Sequence, residues 1–371
     1  MKQKQRRGNV ARGAAWPLLI GCAVCCLCPL TARAQSPAEL ADAGHWKRVR
    51  AIVEPRVRAN AKDAEALWLL ARVKQAFGDR EGALTVAERA VALEPRSATY
   101  HTQLALVCGQ LVENASYFRQ ILLGRRFKSE LDTALSLDSR QVDALDGLME
   151  YLWNAPGAFG GDKGKARETA RRIGQIDPVR GFLAEARLAA RDKDTSGKAE
   201  ALYRKAVDEH PRSYLAQMTA ANFYASGAGP RLDLAEQHAR EAVAIAPDRA
   251  GPYGLLARVY ASQQRLGDLD AVLAEAERRV PDNPSPFLSA ANALFRADRD
   301  LPRAERYIRT YLAQEPEGGA TSRGVARWRL GLVLEKQGRV KEAIAELEAG
   351  HRLEPTRQEI ARDLERLKRL R

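Results

Sequence analysis

Little in this chain could be held together by covalent or coordinative bonds. Of five cysteines, Cys22, Cys25, Cys26 and Cys28 crowd one apolar stretch near the N-terminus, and only Cys108 lies beyond it. If that stretch is removed, no internal disulfide is possible and packing alone must hold the rest. His45, His101, His210, His238 and His351 show no paired metal spacing, and no carboxylate-rich cation loop accompanies them. No metal and no other cofactor is therefore expected. Aromatic residues make up 6% of the chain, which leaves packing to small side chains and suits helices rich in Ala, Leu, Arg and Glu. Long apolar runs are also missing. A bilayer span needs about 20 apolar residues, whereas residues 14–30 form a shorter run broken by Pro17 and Pro29.

That run follows a basic head, Lys2, Lys4, Arg6, Arg7 and Arg12, with no acid among them, and precedes Ala32-Arg33-Ala34. Small residues at the two positions a signal peptidase reads identify residues 1–34 as a secretory signal, cut after Ala34. A periplasmic or otherwise exported mature chain is expected. The alternative is Leu19-Ile20-Gly21-Cys22, which resembles a bacterial lipobox and would make an outer-membrane lipoprotein anchored at Cys22. The residues after it, AVCCLCPL, stay apolar, which is unusual past a lipidation site. Arg6-Arg7 is a twin-arginine pair without apolar residues close behind. Removing the leader takes six of the 60 lysines and arginines and no acid, leaving 54 against 47. So mild an excess, on an exported chain, does not suit a nucleic-acid partner. Membrane contact is expected only through the signal or a lipid at Cys22.

Residues 251–284 set the pattern for the remainder. Tyr253, Leu256, Ala257 and Tyr260 recur at helical spacing, followed by Leu269, Leu273, Ala276 and Pro281. This predicts two amphipathic helices joined by a short Gly-containing turn. The same arrangement appears in residues 64–96, with Leu67, Leu70 and Ala71, then Gly78, Ala83, Ala87, Ala90 and Pro95. It returns in the last unit, with Leu330, Gly331, Leu334, Ala343, Leu347 and Pro355. Pro178, Pro211, Pro247 and Pro281 are separated by 33, 36 and 34 residues, and Pro316 and Pro355 follow after 35 and 39. A proline there cannot continue a helix and marks the turn into the next unit.

Tyr-x2-Leu-Ala-x2-Tyr, an apolar pair four apart and then Pro resembles the tetratricopeptide repeat. The resemblance covers nearly all of the chain after residue 34, in about eight units. It implies an all-α, right-handed superhelical solenoid of antiparallel helix pairs, with the first helix of each pair lining a concave groove. On that frame residues 35–63 form a capping hairpin. Its turn is at Gly44, and its stripe of Trp46, Val49, Ile52, Val53 and Val57 contains Pro55, which should bend or break the second helix. Residues 64–356 form the solenoid, with insertions near 112–127 and 154–165, and residues 357–371 form a capping helix. The EGGATSRG segment before the last unit is expected to be flexible.

No catalytic constellation emerges. NAPGAFGGDKGKA fails the phosphate-loop frame, because Phe159 stands where its first glycine belongs and Ala166 where Ser or Thr is required. His101 and Cys108 share a helix face but lie roughly 10 Å apart along it, too far for a nucleophile and its base. The resemblance places Trp68, Arg72, Asp143, Asp146, Glu150, Trp153, Asn222, Arg258, Asn292 and Trp328 on the groove. Asp143, Asp146 and Glu150 make one acidic stripe at i, i+3 and i+7. Asn222, Arg258 and Asn292 occupy the same place in three successive units, a partial form of the Asn and Lys/Arg clamp with which some family members hold a peptide's terminal carboxylate; Lys does not recur beside these Asn residues. The expected function is a non-enzymatic scaffold that binds a protein or peptide in the bacterial envelope. The alternatives are a cell-wall enzyme using Asp143, Asp146 and Glu150 as acid and base, or a self-associating structural array.

Overall fold

Small residues decide how closely these helices approach, and the chain supplies them in pairs. The computed structural model describes residues 35–113, 115–192, 197–227 and 229–369; the expected leader, including Cys22 and the cleavage site, lies outside them. Residues 36–371 pack as one unit. α1 (Pro37–Ala43) and α2 (Trp46–Ala59) form the first hairpin, followed by α3 (Ala64–Ala76) with α4 (Arg80–Leu93). Then come α5 (Ala98–Val112) with α6 (Tyr117–Leu137), α7 (Val142–Asn154) with α8 (Lys163–Ile176), and α9 (Pro178–Arg191) with α10 (Lys198–Glu209). The second half pairs α11 (Tyr214–Tyr224) with α12 (Leu232–Ile245), α13 (Ala250–Ser262) with α14 (Leu266–Arg279), α15 (Ser285–Arg296) with α16 (Leu301–Leu312), and α17 (Arg323–Lys336) with α18 (Val340–Leu353). α19 (Gln358–Arg369) covers the end. No strand occurs among the described residues. The fold is an all-helical repeat solenoid of eight hairpins behind a first one.

Each helix packs on its sequence neighbours, and first helices of successive pairs also meet, α13 with α15 and α15 with α17 among them. The apolar core is accordingly divided. One cluster runs from α11 to α19, another from α1 to α6, and smaller ones lie between. That is what nearest-neighbour stacking produces. Side chains of Asp63, Asp79, Ser97, Ser213 and Ser322 cap helix N-termini, satisfying donors that the helix leaves free. Gly78 and Gly338 take positive φ, 82° and 77°, in the tight turns inside two hairpins, where a Cβ would be strained.

Pro95, Pro211, Pro247, Pro281 and Pro355 lie in turns after second helices, where their spacing puts them. Pro178 differs, because it is the first residue of α9. A single residue, Asp177, joins α8 to α9. Its N–H donates to the Ile173 carbonyl (2.8 Å), and its carboxylate accepts from Arg180 N (3.0 Å). The two helices then cross at Gly174 and Gly181, backbone on backbone.

Pro55 does not break α2, which runs unbroken through it. Val49 and Val53 are fully buried on one side, while Ala51, whose carbonyl loses its partner to the proline, is exposed to water. The described residues of both insertions are structured. α6 has 21 residues against 15 in α5, and residues 157–159 form a 3-10 turn ahead of α8.

Candidate functional site

Three first helices, α11, α13 and α15, place Asn222, Arg258 and Asn292 along one wall of a cavity of about 480 Å³. Asn292 and Arg296 are four residues apart on α15, so both reach the same cavity. Gly251 and Gly254 leave bare backbone on α13; a Cβ on Gly254 would come within 3.2 Å of the Ser289 hydroxyl. Arg258 is half-buried, and its pKa is lowered first by that burial and then by the charge of Arg296. Among the described residues neither guanidinium has an acid partner. The buried Asn292 Oδ1 has no hydrogen-bond partner, and Asn222 Nδ2 returns to its own helix at Met218 O (2.9 Å). Two guanidiniums without an ion-pair partner beside carboxamides make this wall of the recess suited to an anion.

The opposite wall comes from two segments far apart in sequence. Gly44 and Trp46 of the first hairpin line it, together with residues 317–321. The segment expected to be flexible is pinned instead. Lys47 N donates to Glu317 Oε1 (2.7 Å), and Lys47 Nζ donates to the carbonyls of Glu315 (3.0 Å) and Asp282. Arg48 grips Asp282 through two bonds of 2.7 and 3.1 Å, and Arg50 grips Glu315 through two of 2.6 and 3.0 Å. Gly319 N donates to Ala76 O (2.7 Å). Gly318 lies so close to Trp46 that a Cβ there would sit 2.8 Å from the Trp46 side chain. Glu317 is only 3% exposed, and burial raises its pKa although the Lys47 and Gly318 N–H groups bond Oε1; Oε2 has no partner.

The remaining sequence candidates are held in other ways. Trp68 stacks on Tyr100 (6.0 Å between ring centres). Arg72 lies over Trp68 (5.3 Å) and Trp46 (5.6 Å) and pairs with Asp42 (2.7 Å), so it holds the first hairpin on α3. Trp153 is no groove anchor: it is 9% exposed in the α7–α8 core, with Lys163 (5.0 Å) and Arg167 (5.3 Å) over its ring. The acidic stripe is already neutralised by α9. Asp143 pairs with Arg180 (2.7 Å), Asp146 with Arg187 and Glu150 with Arg191 (2.7 Å). Each carboxylate of the row is matched by one arginine of α9, so the row joins two first helices and presents no free acid and base pair. Trp328 Nε1 donates to Asp363 of α19 (2.8 Å), tying the ring to the end helix.

Cys108 is buried, and burial pushes its thiol up to about 11. His101 is clamped between Glu130 (2.6 Å) and the Pro95 carbonyl (3.0 Å). The sequence reading missed Arg296, whose signal was its place four residues after Asn292, and the Lys47, Arg48 and Arg50 contacts, for which no local signal exists.

No family model and no curated protein matches this chain. Among solved structures, yeast Tom70 is 15% identical with a TM-score of 0.48, covering 90% of this chain and 80% of that one. TTC0263, a thermophilic tetratricopeptide protein of Thermus thermophilus, is 21% identical with a TM-score of 0.43, covering 55% and 94%. At these scores neither bears on function; the fold rests on the helix pairs themselves.

Proposed function

We propose that this chain is a protein- or peptide-binding scaffold of the bacterial cell envelope, and that the recess between α11, α13, α15 and the first hairpin receives an anionic segment of its partner. The observation that carries this reading is the pair Arg258 and Arg296. They lack acid partners among the described residues, while Arg180, Arg187 and Arg191 on the neighbouring stretch of inner face are all matched. Asn222 Nδ2, which gives one N–H to Met218 O, has a second that suits a carboxylate. The work done is recognition, without bond making or breaking. The leader-like sequence of residues 1–34 supports an envelope location.

The test uses residues 35–371 as bait for envelope extract and then measures the captured partner's affinity by fluorescence anisotropy. Losing a hydrogen bond to a charged group costs about 1.5–3 kcal/mol, so Arg258→Ala with Arg296→Ala should weaken capture at least tenfold with helix content unchanged. Equal capture by the double variant refutes the assignment. The mass of the N-terminal peptide from exported protein separates cleavage after Ala34 from lipidation at Cys22.

A further inference from the structure

The two departures from the repeat length meet in space, and we propose that together they build a binding site for an amphiphile with one apolar tail and an anionic head. The longer α6 and the loop at residues 155–159 enclose, with α5 and α7, a second cavity of about 660 Å³. That is an ordinary size for a small-molecule site. Its apolar lining includes Leu106, Ile121, Phe127, Tyr151 and Phe159. This is not the recess with Arg258, and nothing in the repeat pattern requires it.

The walls are preformed. The Tyr151 hydroxyl donates to the Phe159 carbonyl (2.5 Å), and Asp162 N donates to Leu152 O (2.8 Å), fixing the loop against α7. A Cβ on Gly161 would run into the Ala155 carbonyl, so the loop has this course because a glycine stands there. Three helices each present a glycine to the cavity: Gly109, Gly124 and Gly147. Gly109 and Gly147 have a packing reason, since their added Cβ atoms would press on Phe127 and Leu131 at 3.1 Å. Gly124 has none; a Cβ there meets nothing within 4 Å. A glycine inside a helix weakens it relative to alanine, so its evident effect is to keep the cavity wall low.

Two observations specify the ligand. Tyr117, which lines the cavity, is 68% exposed, and Phe118, whose ring lies 5.8 Å from it, is 79% exposed. Apolar surface concentrated at a cavity mouth marks a place where something apolar docks. Arg125, on the same face one turn after Ile121, also lines the cavity, and no acid among the described residues pairs with it. Of the three acids lining the cavity, Asp146 and Glu150 are occupied by Arg187 and Arg191, and Glu113 faces Arg80 at 3.8 Å. A tail inside and a carboxylate or phosphate at Arg125 satisfies both features.

Isothermal titration of residues 35–371 with dodecanoate and with dodecyl phosphate, both below micelle formation, tests this and distinguishes the two head groups. The expected result is saturable binding of one molecule per chain, about fourfold weaker for each methylene removed from the tail. Dodecyltrimethylammonium should bind at least tenfold more weakly than dodecanoate, and Arg125→Glu should reverse that preference. Gly124→Leu should lower dodecanoate affinity at least tenfold, while Gly124→Ala keeps the fold and most of the binding. Absence of saturable binding, or equal affinity in wild type and Gly124→Leu, overturns the proposal. So does a concentration-dependent dimer that Phe118→Ser abolishes, because the apolar rim would then belong to a second copy of the chain.

Discussion

Gly174→Ala and Gly181→Ala are the same substitution made on the two sides of one helix crossing, yet they should move stability in opposite directions. On Gly174 the nearest atom to an added Cβ is the Gly181 Cα at 3.6 Å, an ordinary contact. Alanine there keeps the packing and gains roughly 0.5–1 kcal/mol in helix preference. On Gly181 the added Cβ lies 2.7 Å from Gly174 N and closer still to its Cα. These are backbone atoms, which cannot swing aside as a side chain would, so α8 and α9 must separate. Overpacking of this kind costs about 1–3 kcal/mol, which outweighs the same helix gain. The difference between the two variants should therefore be about 1–3 kcal/mol, with Gly174→Ala the more stable. Urea unfolding followed by circular dichroism and by tryptophan emission reads it directly. Asp177 allows no slack between the helices, so the strain cannot be relieved by a longer turn. Equal midpoints for the two variants, or a more stable Gly181→Ala, would refute the crossing.

Three further outcomes follow from the same geometry. Arg48→Glu with Arg50→Glu removes two exposed ion pairs, each worth about 0.2–1 kcal/mol, and adds repulsion against Asp282 and Glu315; amide exchange should accelerate in α2 and residues 315–321 but not in α13 or α17. Glu317→Gln should stabilise this contact at neutral pH. The carboxyl's folded pKa lies above its usual 4.5 because of burial, so charging it disfavours the fold as pH rises above that value and has no effect below it. Glu315, whose carboxyl is held low by Arg50, acts in the opposite sense at more acidic pH. The gain in urea midpoint for Glu317→Gln over wild type should thus be largest near pH 7 and vanish by about pH 4; a constant gain contradicts the buried carboxylate. Cys108, buried and with its thiol raised to about 11, should resist iodoacetamide at about pH 8 in the folded chain and react promptly in urea.

The hairpins were legible because their determinants are local. Tyr253, Leu256, Ala257 and Tyr260 lie on one face of one helix, and each is buried against the neighbouring pair. Asn222, Arg258 and Asn292 could be aligned from repeat spacing alone, and they do share a recess. Trp153 failed for a reason that spacing does not encode. Its ring packs in the core against α8, with Lys163 and Arg167 of that helix over it. The acidic stripe misled because its partners sit on α9, 41 residues on for Asp146 and Glu150, and pattern reading treats each helix face as if it met water. Pro178 shows the same limit: a proline at the expected interval began a helix because the turn before it had shrunk to Asp177.

The bonds between the first hairpin and residues 282–317 join positions 234 to 270 apart in sequence. Paired helices can assemble as soon as a few dozen residues are present, since contacts of short sequence separation form fastest. Lys47, Arg48 and Arg50 have nothing to hold until the sixth, seventh and eighth units have stacked in order. Their docking is thus expected late in assembly. A chain missing one internal unit would leave these side chains without their partners, so completion of the first hairpin's contacts records that every unit between has been laid down.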